Sequence, residues 1–143
     1  LHDALPIWTG FGDVAVYRKG DYFYIFGVVE QNGVKQINYA RSTTITGPYA
    51  DIDGKALLAN NGTLLIRSGE QMTNPENVCG IFADINDVNF ILYTATDKSK
   101  ALQASGFNRR PLMLNKLTLN TAFWFDGTIT PEIGWTLPKF ADK

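Results

Sequence analysis

The chain has 143 residues, 45% hydrophobic and 19% charged, with a formal net charge of −1. That balance fits a folded globular chain and excludes a disordered one, and the scattered charges leave no basic stripe for nucleic acid. A single cysteine (Cys79) and a single histidine (His2) exclude an internal disulfide and a CxxC-type zinc site and all but exclude a Ser–His triad, and no apolar run is long enough to cross a bilayer as a helix.

The first seven residues, Leu-His-Asp-Ala-Leu-Pro-Ile, have no turn logic, no signal-peptide pattern and no amphipathic period. They match, residue for residue, the translation of a common short-read sequencing adapter, whose last base fits the start of the Trp8 codon. Residues 1–7 are therefore expected to be an artefact, with the protein's own sequence cut upstream of Trp8. His2 and Asp3 then carry no function, and the net charge becomes 0, with 13 acids against 13 bases. The alternative is a genuine N-terminal arm. Codons other than the adapter's across residues 1–7 exclude the artefact.

From Asp13 onward strand signals are dense. "DVAVYRKGDYFYIFGVVE" predicts two strands joined at Lys19-Gly20-Asp21, where glycine permits the positive φ of a tight hairpin. "VKQINYARS" supplies a third strand through the Asn32-Gly33 turn. "TGPYADIDGKALL" gives a Gly-Pro turn and a short, more polar edge strand around Ala56–Leu58, completing a meander. "GTLLIRS" is a strand or a connector to one, "NVCGIFADINDVNFILYTATD" a hairpin turning at Asn86-Asp87, and "RPLMLNKLTL" a further strand. No window of ten or more residues carries a capped helical period.

The inner strands "YFYIFGVV" and "NFILYTA" are apolar on both faces, as in sheets stacked against neighbouring sheets. The expected fold is all-β: two four-stranded antiparallel blades of a truncated β-propeller, with a split β-sandwich as the competitor. Two blades cannot close a ring, so apolar outer faces imply missing neighbours.

The stretch "ARSTTITGPYADIDGKALLANNGTLLI" resembles glycoside hydrolase family 43, notably its arabinan-degrading members, through Arg41, Ser42, Ile45, Thr46, Gly47, Pro48, Tyr49, Asp51, Gly54, Leu58, Gly62, Thr63, Leu64 and Leu65. "VYRKGDYFYIF", "NFILYTATD" and "RRPLMLNKLTL" are similar to further strands of that family, so the likeness runs from Tyr17 to Leu119. It implies a five-bladed propeller holding three carboxylates: an Asp that activates water, an Asp that positions, and a Glu that protonates the leaving oxygen, with inversion at the anomeric carbon. It also implies the last two blades over residues 8–125, leaving 126–143 as a C-terminal tail or linker.

Aligned with the family, the acid position falls on Phe11, which cannot donate a proton. Asp13 is the one nearby carboxylate; if the alternation of a strand holds, it shares a face with Phe11, and the competing reading makes it a turn residue. The catalytic residues are thus left unknown, with Asp13 as the candidate. The family's "GPGH" loop, whose His reaches the propeller centre and often a calcium or ordered water, aligns with "NPEN": Asn77 replaces the His and Glu76 a Gly. Thr94 replaces a second His. Glu76 and Asn77 are candidate substrate contacts, although a solvated loop is the better expectation for Glu76. Arg110 matches a family arginine whose planar fork suits sugar hydroxyls, against a solvent-exposed strand-edge arginine. Cys79 reads as a small core residue and Trp8, Trp124 and Trp135 as core or blade-interface residues rather than sugar platforms. No metal site or cofactor is expected of this chain; calcium is what the resemblance allows in the intact parent.

The resemblance implies a fragment of a protein acting on arabinose- or xylose-containing polysaccharide, the parent hydrolysing by inversion and the fragment inactive. A propeller that binds glycan without cleaving it is the alternative, and an unrelated propeller a third. The partners expected are a polysaccharide or oligosaccharide and the missing upstream blades, with no nucleic acid and no membrane. Secretion or a periplasmic location follows from the resemblance alone, since no signal peptide is visible.

Overall fold

A computed structural model describes residues 10–100, 105–106 and 109–131. The expectations for residues 1–7, Trp8, Trp135 and the end of the tail lie outside the described residues. The structure is all-β. Strands β1 (Gly12–Lys19), β2 (Tyr22–Gln31), β3 (Val34–Ser42) and β4 (Thr63–Ile66) form one antiparallel sheet in that order. Strands β5 (Met72–Ala83), β6 (Asn89–Asp97) and β7 (Leu112–Leu117) form the other. The predicted turns hold: Gly20 at φ 60° links β1 to β2, and Asn32 and Gly33, both left-handed, link β2 to β3.

The two-sheet, all-β expectation is borne out, with two differences in detail. The second sheet has three strands among the described residues rather than four. The fourth strand of the first sheet is Thr63–Ile66; the Ala56–Leu58 stretch instead leads into a single helical turn, α1 (Leu57–Asn60). The cause is local. Asp51 is buried and accepts hydrogen bonds from the Asp53 and Lys55 amides (3.0 and 2.7 Å) and from the Asn60 side chain, which winds residues 51–60 into a knot. Asn61 and Gly62 then turn the chain through left-handed conformations into β4. A Cβ at Gly62 would lie 2.7 Å from the Tyr39 carbonyl oxygen.

Asp51 also gives this turn a pH dependence. Burial opposes its ionisation, but the hydrogen bonds from Asn60, Lys55 and Asp53, with the Lys55 charge, outweigh it and hold the carboxyl below its usual range. A depressed folded pKa contributes stability above the unfolded value of 3.8 that is lost as the pH falls through the folded one. Urea midpoints taken from neutral pH down into acid should therefore fall more steeply below about pH 4 in wild type than in Asp51→Asn. Parallel curves would overturn this assignment.

Both faces of the first sheet are buried at its inner strands β2 and β3, as the doubly apolar β2 requires, while β1 is largely exposed. One face shares a core with the second sheet: Tyr24, Phe26, Ile37, Tyr39, Leu65 and Ile66 meet Met72, Ile91, Tyr93, Ala95, Met113 and Leu117. Burial of such side chains is worth about 1.5–3 kcal/mol each and dominates the fold. Among the described residues the opposite face is covered by loops and α1, where Phe11, Tyr49 and Leu57 pack on Ile25, Val29 and Ala40. Gly27 makes room for Phe11, whose ring would lie 2.3 Å from a Cβ at that position.

After β7 the chain returns to the first sheet. Leu119 bridges Phe125, and residues 118–126 form a small hairpin capped by the Asn120 side chain, which accepts from the Ala122 and Trp124 amides. Trp124 and Phe125 are buried; the Phe125 ring lies 5.0 Å from Tyr24 and 5.2 Å from Tyr39, centroid to centroid. The Tyr24 hydroxyl donates to the Phe123 carbonyl (2.7 Å), and the Phe125 amide donates to the Tyr39 hydroxyl (3.1 Å). Burial pushes the Tyr39 hydroxyl up to about 12. Arg41 lies between the rings of Tyr22 (4.1 Å) and Trp124 (3.8 Å) and donates to the Ala122 and Phe123 carbonyls at 2.7 and 2.9 Å. Ile129 then adds to the edge of β4 in parallel, opposite Ile66.

Candidate functional site

The first strands of the two sheets are neighbours: β1 packs beside β5. β5 is irregular just where the "NPEN" sequence falls. Its pairing with β6 slips between Thr73 and Glu76 and again between Glu76 and Gly80, and Asn74 and Asn77 both take positive φ (50° and 52°). Asparagine tolerates this conformation better than most residues, and such bulges re-aim side chains at strand rims.

The bulges turn Glu76 inward. It is buried, 4% exposed, and its two carboxylate oxygens face two cations, Lys35 on β3 and Arg110 just before β7. The solvated-loop expectation for Glu76 is thus corrected, because a doubly bulged strand does not follow simple alternation. Asn77 is exposed; its amide donates to the Thr94 hydroxyl (3.0 Å), which donates in turn to the Glu76 carbonyl (3.3 Å). The structure therefore brings together Glu76, Asn77 and Arg110, the three candidate substrate contacts. Cys79 is exposed rather than in the core, displaced by the same bulges, and its thiol donates to the Asn77 carbonyl (3.1 Å).

Asp13 and Phe11 part company. A bulge between Gly12 and Ala15, with Asp13 at φ 49°, sends Phe11 into the core and leaves Asp13 exposed. The shared-face expectation fails for that reason. Asp13 lines a groove of about 530 Å³ between residues 10–13 and Val28, Glu30 and Lys35.

Lys35 is the functional candidate that sequence reasoning missed. It lines the groove and reaches Glu76, tying Asp13's wall to the Glu76–Arg110 cluster. It carried little sequence signal: Lys35 is one of two cations on β3, beside the turn that opens the strand.

Glu76 is already engaged by two cations and Asn77 by Thr94, and among the described residues no group of three His, Cys, Asp or Glu side chains gathers.

Two antiparallel sheets that share a core and set their first strands side by side define a propeller-like β protein. Its relatives are arabinanases. Over 64 residues the chain is 36% identical to extracellular endo-α-(1→5)-L-arabinanase 1 of Bacillus subtilis (strain 168), a match covering 41% of this chain and 20% of that protein. Its fold is similar to that of the Cellvibrio cellulosa α-L-arabinanase complexed with arabinohexaose, with a TM-score of 0.69 and 18% identity, covering 86% of this chain and 37% of that one. The GH43 endo-arabinanase from Bacillus licheniformis matches with a TM-score of 0.62 and 24% identity, covering 78% and 37%. No family model matches. The resemblance to glycoside hydrolase family 43 arabinanases is borne out, and the chain spans a fifth of the curated relative and little more than a third of these structures.

Proposed function

We propose that this chain supplies two adjacent blades of a secreted glycoside hydrolase family 43-type propeller that handles arabinan, and that the chain by itself binds the glycan without cleaving it. The observation that carries this reading is the 36% identity to an extracellular endo-arabinanase. Inverting hydrolysis needs an acid and a base held on opposite sides of the bond with room for a water between them. Glu76 is engaged by Lys35 and Arg110, and Asp13 is exposed at a bulge, which supports the reading that the chain by itself lacks a proton donor for the leaving oxygen. Arg110, half exposed, and Asn77 offer donors to sugar hydroxyls.

The chain is expected to be retarded by arabinan in affinity electrophoresis and to release no sugar from it. Unretarded migration would overturn the glycan reading, and release of arabinose would overturn the inactivity. A second reading, a propeller that has lost catalysis altogether, is favoured by Phe11: the position aligned with the acid is filled by a core residue. The complete gene separates the two, since a full set of carboxylates in the remaining blades supports the enzyme.

A further inference from the structure

We infer that Lys35 is a glycan-contacting residue and that Glu76 is the positioning residue that aims it. This rests on the glycan reading above and gives Lys35 and Glu76 roles that reading does not assign. Lys35 is fixed at three points, each from the second sheet or the segment leading to it. Its amide donates to the Asn74 side-chain oxygen (2.9 Å), its carbonyl accepts from the Ser68 hydroxyl (2.9 Å), and its ammonium pairs with the buried Glu76. The Ser68 oxygen also accepts from the Asn74 amide (2.8 Å), so the clamp is itself braced. A lysine in solvent would keep its side-chain rotamer freedom; here the backbone is clamped and the carboxylate already restrains the side chain.

The ammonium has three donors, and Glu76 takes one. The side chain is 35% exposed and lines the groove whose other polar walls are Asp13 and Glu30. A groove lined by one donor residue and two acceptor residues suits a neutral polyhydroxyl ligand, since each hydroxyl both gives and receives a hydrogen bond. An acidic sugar would meet two carboxylates there and is disfavoured. Gly12 leaves the groove floor open: a Cβ built there meets nothing within 4 Å.

The test is calorimetric titration of the full chain with α-1,5-arabinohexaose. Lys35→Met should weaken binding about tenfold, the loss of one charge-assisted hydrogen bond. In an Arg110→Ala background, which removes the other partner of Glu76, Glu76→Gln should weaken binding to a similar degree and the double variant with Lys35→Met should fall no further, because both changes then act through one ammonium. Lys35→Arg, which keeps a cation, should recover most of the affinity. Should Lys35→Met fail to fold, Lys35→Gln, which still reaches Glu76 without a charge, takes its place. Wild-type affinity in the Lys35 variants alongside loss in Arg110→Ala overturns this inference and leaves the glycan reading standing. Additive losses in the double variant overturn the positioning role of Glu76. No binding of arabinohexaose by wild type fails the glycan reading and this inference with it.

Discussion

Replacing Arg41 with alanine should lower stability by about 2–4 kcal/mol and release the 118–126 hairpin from the first sheet. The guanidinium sits between two aromatic rings and donates to two carbonyls of that hairpin, so one substitution removes two cation–π contacts and two charge-assisted hydrogen bonds. Lysine should not rescue it: a point charge cannot stack flat on Trp124 while serving two carbonyls. The measurement is a urea midpoint together with hydrogen exchange. Amides of Trp124 and Phe125 should lose protection before those of β2 and β3. Uniform loss across the sheet, or none, would show that the hairpin is held by its buried rings alone.

The second large effect concerns the buried carboxylate. Changing both Lys35 and Arg110 to methionine should cost about 3–5 kcal/mol, because it strands Glu76 without a counter-charge. Glu76→Gln should cost much less, about 1 kcal/mol: the two cations it releases are 35% and 50% exposed and can turn to water. The order of these two results is the informative quantity. Equal losses in chemical denaturation would mean that water reaches Glu76 in the folded chain.

The hairpins were legible because turn chemistry and strand composition agree: Gly20, Asn32 and Gly33 stand where the chain reverses. The path from Ala56 to Ile66 was not. "ALLANNGTLLI" holds two similar apolar runs, and what makes the first a helical turn is the buried Asp51, whose hydrogen bonds the local pattern does not announce. Glu76 was hidden for another reason. Read locally, "NPEN" is a polar loop, and its burial is settled by Lys35, 41 residues earlier, and Arg110, 34 later. The alternation that would let Asp13 and Phe11 share a face is undone by a single left-handed residue in β1, which suits the turn reading of Asp13 instead. Regular pairing could be read from the string; the bulges that build the site could not.

The return of the chain to its first sheet has a consequence for synthesis. Tyr24 and Tyr39 wait for Phe123 and Phe125, 99 and 86 residues further on. A chain emerging from the ribosome N-terminus first therefore leaves these rings without part of their cover until the second sheet and then the 118–126 hairpin have been made. Contacts so distant in sequence slow folding and leave apolar strands open to other chains in the meantime. The first sheet thus completes its aromatic core only with that hairpin, and a stop codon between β7 and Phe125 leaves Tyr24 and Tyr39 without these partners.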